Sequence, residues 1–293
     1  MELKIDNLTK NYGNKIAVNS FSCVLTSGIY GLLGANGSGK TTLMRMLCDI
    51  IKPTSGTITV DGTSIKVMDE SYRELLGYLP QNFGYYPNFT GWEFMMYLAA
   101  LKGLPKIMAN ERCEQLLRTV GLFDVKNKKL KTYSGGMRQR IGIAQALIND
   151  PKILILDEPT AGLDPKERAK FRNIISDLSG ERIILLSTHI VSDIEFIADD
   201  ILVMKEGELV LFDKHDTICN MIDDSVWLCK LPDKMARELI SKHVVSNLRH
   251  IDGEIEVRIV SKDKPCDIAE HVAPNLEDLY LYFFKEEVSN DTD

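Results

Sequence analysis

Gly28-Ile29-Tyr30-Gly31-Leu32-Leu33 runs directly into Gly34-Ala35-Asn36-Gly37-Ser38-Gly39-Lys40-Thr41, and this stretch decides the fold. The first six residues read as a short apolar strand. The next eight satisfy G-x-x-x-x-G-K-[ST] at every fixed position, and Thr42 to Cys48 continues as a helix with Leu43, Met46 and Leu47 on one face. Strand, glycine turn and helix in that order form a phosphate cradle. Glycine lets the backbone wrap a polyphosphate with its N–H groups where a side chain would collide. The positive end of the helix points at the same anion. The pattern therefore assigns Gly34, Asn36, Gly37, Ser38, Gly39, Lys40, Thr41 and Thr42 to phosphate binding. Lys40 is expected to reach the β- and γ-phosphates and Thr41 to hold Mg²⁺.

A second element agrees with the first. Ile153-Leu154-Ile155-Leu156 is a fully apolar strand that ends in Asp157-Glu158. In open α/β sheets ligands collect at the carboxyl edge of the strands, which puts Asp157 beside the metal held by Thr41. Glu158 is placed to act as general base toward an attacking water. Alone, these acids read as an ordinary solvated strand end; the cradle makes the difference. Ile183 to Leu186 is a second apolar strand. The helix between the two has Asp164 at its N-cap, Pro165 at N1, and Phe171, Ile174, Ile175 and Leu178 inward. Strands buried on both faces and joined by helices imply a parallel, helix-covered sheet.

Around that centre, the first 30 residues and Gly56 to Val60 alternate as strands, with Asp61-Gly62 as a turn. From about 82 to 150 the pattern is helical, with Met137, Ile141, Ala144 and Ile148 as an apolar stripe. A boundary is expected near Asp213–Asp223. The tail beyond it reads as a small α+β appendage: strand at Val226–Cys229, helix at Lys234–Lys242, strand at Glu254–Val260 and helix at Leu276–Phe284.

Composition sets outer limits. The 293 residues suit about two domains. A net charge of −7 disfavours nucleic acid as a partner. The N-terminus has no apolar signal core, and no apolar run approaches the roughly 18 residues that cross a bilayer, so a soluble intracellular chain is expected. The six cysteines are scattered with no C-x-x-C pair, which suits free thiols rather than a metal centre.

Tyr133-Ser134-Gly135-Gly136-Met137-Arg138-Gln139-Arg140, just ahead of the Asp157-Glu158 strand, resembles the LSGGQ signature of ABC-transporter ATPases. Other markers follow in that family's order. Tyr12 lies where an aromatic stacks on adenine, Gln81 follows a strand as the Q-loop glutamine does, Ala161-Gly162-Leu163-Asp164 resembles the D-loop, and His189 resembles the switch histidine. The resemblance covers residues 1 to about 215. It implies an α/β P-loop NTPase with a helical subdomain (about 82–150) and an antiparallel β subdomain, followed by the α+β accessory domain over 216–293. It further implies ATP and Mg²⁺ as cofactors, Gln81 beside the metal with Thr41 and Asp157, and Ser134, Gly135 and Gly136 on the γ-phosphate. Lys40, Glu158 and His189 are then the catalytic set.

Tyr133 and Met137 depart from the usual leucine and glutamine. In doing so they resemble the YSGGM variant of ABC-2-type exporters, and Pro274-Asn275-Leu276-Glu277-Asp278-Leu279-Tyr280 resembles the PSLED-like C-terminal helix of that group. Because the family sandwiches ATP between the cradle of one subunit and the signature of another, the resemblance implies a head-to-tail dimer with a second copy or a paralogous ATPase. It also implies an integral membrane permease as partner and a station at the cytoplasmic face of the membrane. Phe83 to Tyr97 holds seven aromatics in fifteen positions, against 8% for the chain. Either these grip the permease or they fill the subdomain's own core; a division is expected, with Tyr85, Tyr86 and Phe89 at the groove and Phe94 and Tyr97 inward. A soluble ABC ATPase of repair, translation or assembly and a non-hydrolysing nucleotide sensor are the competing classes. Long coiled-coil or zinc insertions would mark the former, and neither is visible. For the appendage, dimer contacts, ligand sensing and capping of the fold stay open, and Lys285–Asp293 is expected to be a solvated, frayed end.

Overall fold

The computed structural model describes residues 1–251 and 253–284, so the expected frayed end at 285–293 lies outside the described residues. The chain divides into two units, Met1–Val210 and Leu211–Asp293. That division falls a little before the boundary expected from sequence, because the strand Glu208–Lys214 straddles it.

In the first unit, β1 (Leu3–Tyr12) and β2 (Lys15–Leu25) form an antiparallel hairpin, and β3 (Gly28–Leu33) leads through the glycine loop into α1 (Lys40–Leu47). Helix α1 begins at Lys40, two residues before the apolar pattern suggested, since Gly39 is its N-cap. Then come β4 (Ser55–Val60), β5 (Thr63–Ser64), α2 (Ile65–Met68), α3 (Glu70–Leu75) and β6 (Leu76–Leu79). The helical stretch contains α4 (Gly91–Leu101), α5 (Lys106–Thr119) and α6 (Gly135–Ala146). It is followed by β7 (Ile153–Asp157), α7 (Pro165–Leu178), β8 (Ile183–Thr188), α8 (Val191–Ile194), β9 (Asp200–Lys205) and β10 (Glu208–Lys214).

Two sheets result. One has the order β2-β1-β4-β5 and is antiparallel; the other has the order β10-β9-β3-β8-β7-β6. The pairs β3/β9, β3/β8, β8/β7 and β7/β6 are all parallel. Every residue of β7 and β8 is buried, which explains their unbroken apolar runs. One apolar cluster joins Leu3, Ile5 and Phe21 of the antiparallel sheet to Leu43, Met44 and Leu47 of α1 and to Ile153, Ile155 and Leu185 of the parallel sheet. The cradle helix is thereby clamped between the two layers, and the phosphate loop hangs from a rigid base.

Asp164 caps α7 by accepting from Glu167 N, with Pro165 at the first helical position. Phe171 and Ile175 are fully buried and Ile174 and Leu178 partly so. On α6, Ile141 and Ala144 are buried, Met137 is only half-buried, and Ile148 follows the end of the helix.

Tyr97 requires a correction. Phe94 points inward at 2% exposure, but Tyr97 is 38% exposed. Its ring meets Tyr86 and Phe89 edge-on, with centroids 5.4 and 5.9 Å away. Thr90 closes a capping box with Glu93, which sets the rotation of α4 and turns the residue 97 face outward while Phe94 and Met95 face the core.

In the second unit, α9 (His215–Asn220), β11 (Val226–Leu231), α10 (Asp233–Ile240), β12 (Val244–Ile251), β13 (Glu254–Val260), β14 (Glu270–His271) and α11 (Leu276–Phe283) build an antiparallel sheet of order β12-β13-β11-β14 with helices. Strand β12 has no counterpart in the sequence reading. Its burial pattern is intermediate to exposed throughout, so Ser246, Asn247, Arg249 and His250 break the apolar alternation that marks a half-buried strand. The Pro274–Tyr280 motif is the start of α11. Asn275 and Asp278 form a capping box, and Asp278, fully buried, also accepts from Ser246 Oγ at 2.6 Å and from Arg258 Nη2 at 2.7 Å. Arg258→Ala is expected to destabilise this unit by about 3 kcal/mol, because a buried carboxylate loses its charge partner. Urea unfolding followed by Trp227 fluorescence measures it, and an unchanged midpoint refutes it.

Candidate active site

The glycine loop is shaped by close approaches. Gly39 has φ 105°, and a Cβ there would stand 2.2 Å from Ala17 O; a Cβ on Gly34 would stand 2.5 Å from Met204 O and 2.6 Å from Ser38 Oγ. Only glycine lets β3 turn into α1 at this spacing. Because the N-cap is glycine, no side chain covers the first turn of α1. Lys40, 6% exposed, donates to Gly34 O at 2.6 Å and Ala35 O at 3.0 Å, and its Nζ lies 3.9 Å from Glu158 Oε1.

At the carboxyl end of β7, Asp157 Oδ1 accepts from Thr41 Oγ1 at 3.2 Å and from Ser187 Oγ at 2.8 Å. The same Ser187 hydroxyl accepts from Glu158 N at 2.9 Å. Asp157 Oδ2 and Ser38 Oγ are buried without a hydrogen-bond partner among the described residues. Glu158 follows the strand in a left-handed conformation, φ 49°, which ends β7 and starts the turn through 161–164. A non-glycine residue held there costs on the order of 1–3 kcal/mol, which the surrounding bonds offset. Its Oε2 sits 2.8 Å from His189 Nδ1, at the end of β8.

These groups open on one cleft of about 320 Å³, lined by Tyr12, Lys15, Ala17, Asn36, Gly37, Gly39, Lys40, Thr41, Thr42, Gln81 and Glu158. Tyr12 is half exposed at its rim, with Lys10 Nζ 5.2 Å from its ring. Residues from the β1–β2 hairpin, the glycine loop and the end of β6 thus converge although 69 positions separate Tyr12 from Gln81 (81 − 12 = 69). Gly34, Ser38, Asp157 and His189 do not line the cleft; Gly34 O accepts from Lys40, Asp157 from Thr41, and the partly exposed His189 bonds to Glu158, each of those three partners being a lining residue. Ser134, Gly135 and Gly136 do not reach this cleft. Ser134 caps α6 by accepting from Met137 N at 3.2 Å, and it and Gly135 are exposed. Gly136 is buried under Glu167, whose Oε2 would lie 2.5 Å from a Cβ there. Glu167 in turn accepts from Arg140 Nε at 3.1 Å, and its bond with Lys170 together with that guanidinium holds its carboxyl below the usual range.

Sequence reasoning passed over Lys15, Ala17 and Ser187. The first two carry no chemical signal. Ser187 does carry one, since it is the first polar residue after an apolar run at the same sheet edge as Asp157.

The cleft joins a backbone cradle and a buried lysine to a carboxylate pair and a histidine at the carboxyl edge of a parallel sheet. That combination defines a nucleoside-triphosphate-binding α/β cassette. The ABC transporter family matches residues 20–161. The ABC transporter ATP-binding protein YxlF of Bacillus subtilis (strain 168) is 38% identical over 83% of this chain and 81% of its own length. The bacitracin transport ATP-binding protein BcrA of Enterococcus faecalis is 43% identical over 71% of this chain and 68% of its own. Among solved structures, the dimeric bacterial ABC transporter cassette MJ0796 is 26% identical and superposes with a TM-score of 0.66 over 72% of this chain and 98% of its own. The same cassette is also known as a dimer in a post-hydrolysis state with ADP and Pi, at a TM-score of 0.65. The chain belongs to the ABC transporter ATP-binding proteins and is an ATP-binding subunit of that kind. Among the described residues, no helix is long and apolar enough to cross a membrane.

Proposed function

We infer that this protein hydrolyses ATP to power an ABC-2-type exporter, working from the cytoplasmic face of the membrane beside permease subunits that supply the spans. The observation that carries the reading is the single cleft in which Tyr12, the 36–42 loop, Gln81 and Glu158 meet. ATP is held by the loop amides and Lys40, with the adenine against Tyr12. Thr41 and Asp157 are the residues that would hold Mg²⁺, with Gln81 beside them. The buried, unpartnered Oδ2 of Asp157 next to a hydroxyl is an oxygen-donor set that suits this hard cation, which draws most of its other ligands from phosphates and water. When bound, the cation neutralises charge developing on the transferred phosphoryl group.

Glu158 takes a proton from the attacking water. His189 fixes that carboxylate through the 2.8 Å bond, and its exposed ring edge is the group assigned to the γ-phosphate. Because Ser134 and Gly135 lie exposed and Gly136 buried beside them, all away from the cleft, one chain supplies two half-sites, and two chains placed head to tail complete both. The dimeric cassettes similar to this chain support that arrangement.

Likeness to a bacitracin transport ATP-binding protein and the YSGGM variant favour export, with peptide antibiotics, lipids and drugs as candidate cargo. The aromatic patch of exposed Tyr86 and Tyr97 with half-buried Phe89 against both rings is the surface assigned to the permease. Tyr86→Asp is expected to abolish transport in cells while basal ATPase changes less than twofold. Intact transport refutes that assignment. Tyr12→Ala is expected to weaken ATP binding about tenfold by loss of stacking, with Tyr12→Phe unchanged. Isothermal titration checks both, and equal affinity in Tyr12→Ala removes Tyr12 from the site.

The reading as a whole is tested by capturing tagged Glu158→Gln with ATP from solubilised membranes of the source cell. A stoichiometric multi-span protein in the capture is the expected result. Soluble partners alone would shift the reading to an ABC ATPase of repair, translation or assembly.

A further inference from the structure

We propose that Thr160 and Asp193 are positioning residues for the Glu158–His189 pair, forming a second tether between the two loops that carry it. The inference rests on the roles assigned above to Glu158 and His189. Glu158 and His189 stand on separate turns, one leaving β7 and the other leaving β8, and touch through the bond between Oε2 and Nδ1. Two residues beyond Glu158, Thr160 Oγ1 donates to Asp193 Oδ2. Asp193 belongs to α8, the single helical turn that starts directly after the histidine loop. The two hydrogen bonds and the two chain segments between them close a ring. In that ring the turn bearing the base cannot shift against the turn bearing the histidine without breaking a buried bond.

The chemistry of the second tether is costly unless it holds something in place. Asp193 is fully buried and Thr160 is 1% exposed. Among the described residues Asp193 Oδ1 has no hydrogen-bond partner, and Arg172 Nη1 stands 3.8 Å away while donating to Ser192 O of the same helical turn. A buried carboxylate with one oxygen unsatisfied is an arrangement that stability alone does not favour. Among the described residues the hydroxyl of Thr160 is the one hydrogen-bond donor to that carboxylate, and the bond ends two residues from the base. Neither residue lines the nucleotide cleft, so both act through the pair and not on ATP. Glu158 is itself held in a left-handed conformation at φ 49°, a geometry that relaxes unless its surroundings hold it on both sides. Ser187 Oγ holds the amide of Glu158 from the β7 side, and the Thr160–Asp193 bond holds the turn from the other.

The test compares steady-state phosphate release and ATP binding for the full chain and its variants. Thr160→Val removes the hydroxyl at nearly constant volume; it is expected to lower kcat about tenfold with KM for ATP within twofold of wild type. Thr160→Ser keeps the hydroxyl and is expected to recover at least half of kcat. Thr160→Val/Asp193→Leu removes both partners, leaves no buried group unpaired, and so separates folding from positioning. It is expected to melt within a few degrees of wild type and still show the loss in kcat. Wild-type kcat in the double variant overturns the proposal, as does a parallel loss of kcat and ATP affinity in Thr160→Val that Thr160→Ser does not recover. Glu158→Gln is measured alongside. If it retains activity, the role of Glu158 falls; if it is inactive while the double variant turns over normally, only the tether falls.

Discussion

Glu158→Gln is expected to lower kcat for ATP hydrolysis by about 10²- to 10⁴-fold while ATP binding is kept or tightened. Glutamine preserves the shape of the side chain and can still meet His189 and Lys40, but its amide cannot accept a proton from water. Position decides that Glu158 and not Asp157 is the base. Asp157 Oδ1 is already committed to Thr41 and Ser187, and Asp157 does not line the cleft. Glu158 does line it, 6% exposed, with one oxygen bonded to His189 and the other 3.9 Å from Lys40. Removing its charge also removes repulsion toward a triphosphate in the same cleft, so affinity is not expected to suffer. An ATP-loaded variant that cannot turn over should accumulate as a dimer, read by light scattering after size-exclusion chromatography with ATP and Mg²⁺. Phosphate release within a few-fold of wild type would falsify the base assignment.

Lys40→Ala is expected to weaken ATP binding by about a hundredfold, because hydrogen bonds to charged groups are worth roughly 1.5–3 kcal/mol each. The lysine ammonium is held at the floor of the loop by Gly34 O and Ala35 O, and burial there makes it a strong partner for phosphate oxygens. Lys40→Arg is not expected to restore affinity. The guanidinium fork needs more room than the floor between two carbonyls and Glu158 provides. Titration calorimetry with a slowly hydrolysed ATP analogue separates this from turnover. Wild-type affinity in Lys40→Ala would show that the backbone cradle alone holds the nucleotide. Chelation with EDTA is expected to abolish phosphate release in the wild-type protein and to return it on adding Mg²⁺, which tests the Thr41–Asp157 metal site independently of Lys40.

The two units contribute differently to these expectations. Every residue invoked for ATP lies in Met1–Val210. The second unit has its own apolar core of Cys229, Leu231, Ala236, Ile255, Val257 and Ile259, and its own buried ion pair between Arg258 and Asp278. Substitutions there are therefore expected to move stability without moving the affinity of the nucleotide cleft.

What the sequence determined by itself was local or strongly patterned. The loop 34–41 is contiguous, its glycines are needed by close backbone approach, and its lysine and threonine follow at fixed spacing. A single stretch thus specifies strand, turn, helix and ligand chemistry together. The apolar runs ending in Asp157-Glu158 and in Ser187-Thr188-His189 marked two strands and their carboxyl edge for the same reason, since burial on both faces leaves no polar residue inside them. Tertiary structure decided what depends on partners far away in the chain. Tyr97 turned outward because the rotation of α4 is set by its cap and by the core on its other side, which helical periodicity over so apolar a stretch does not register. Strand β12 escaped notice because it is exposed and carries no alternation. Ser187 with Glu158, Arg140 with Glu167, and Thr160 with Asp193 are each joined across 27 to 33 positions of sequence. A polar residue in an apolar run announces a need for a partner; only the folded chain supplies which one, since burial without it costs more than the bond itself returns.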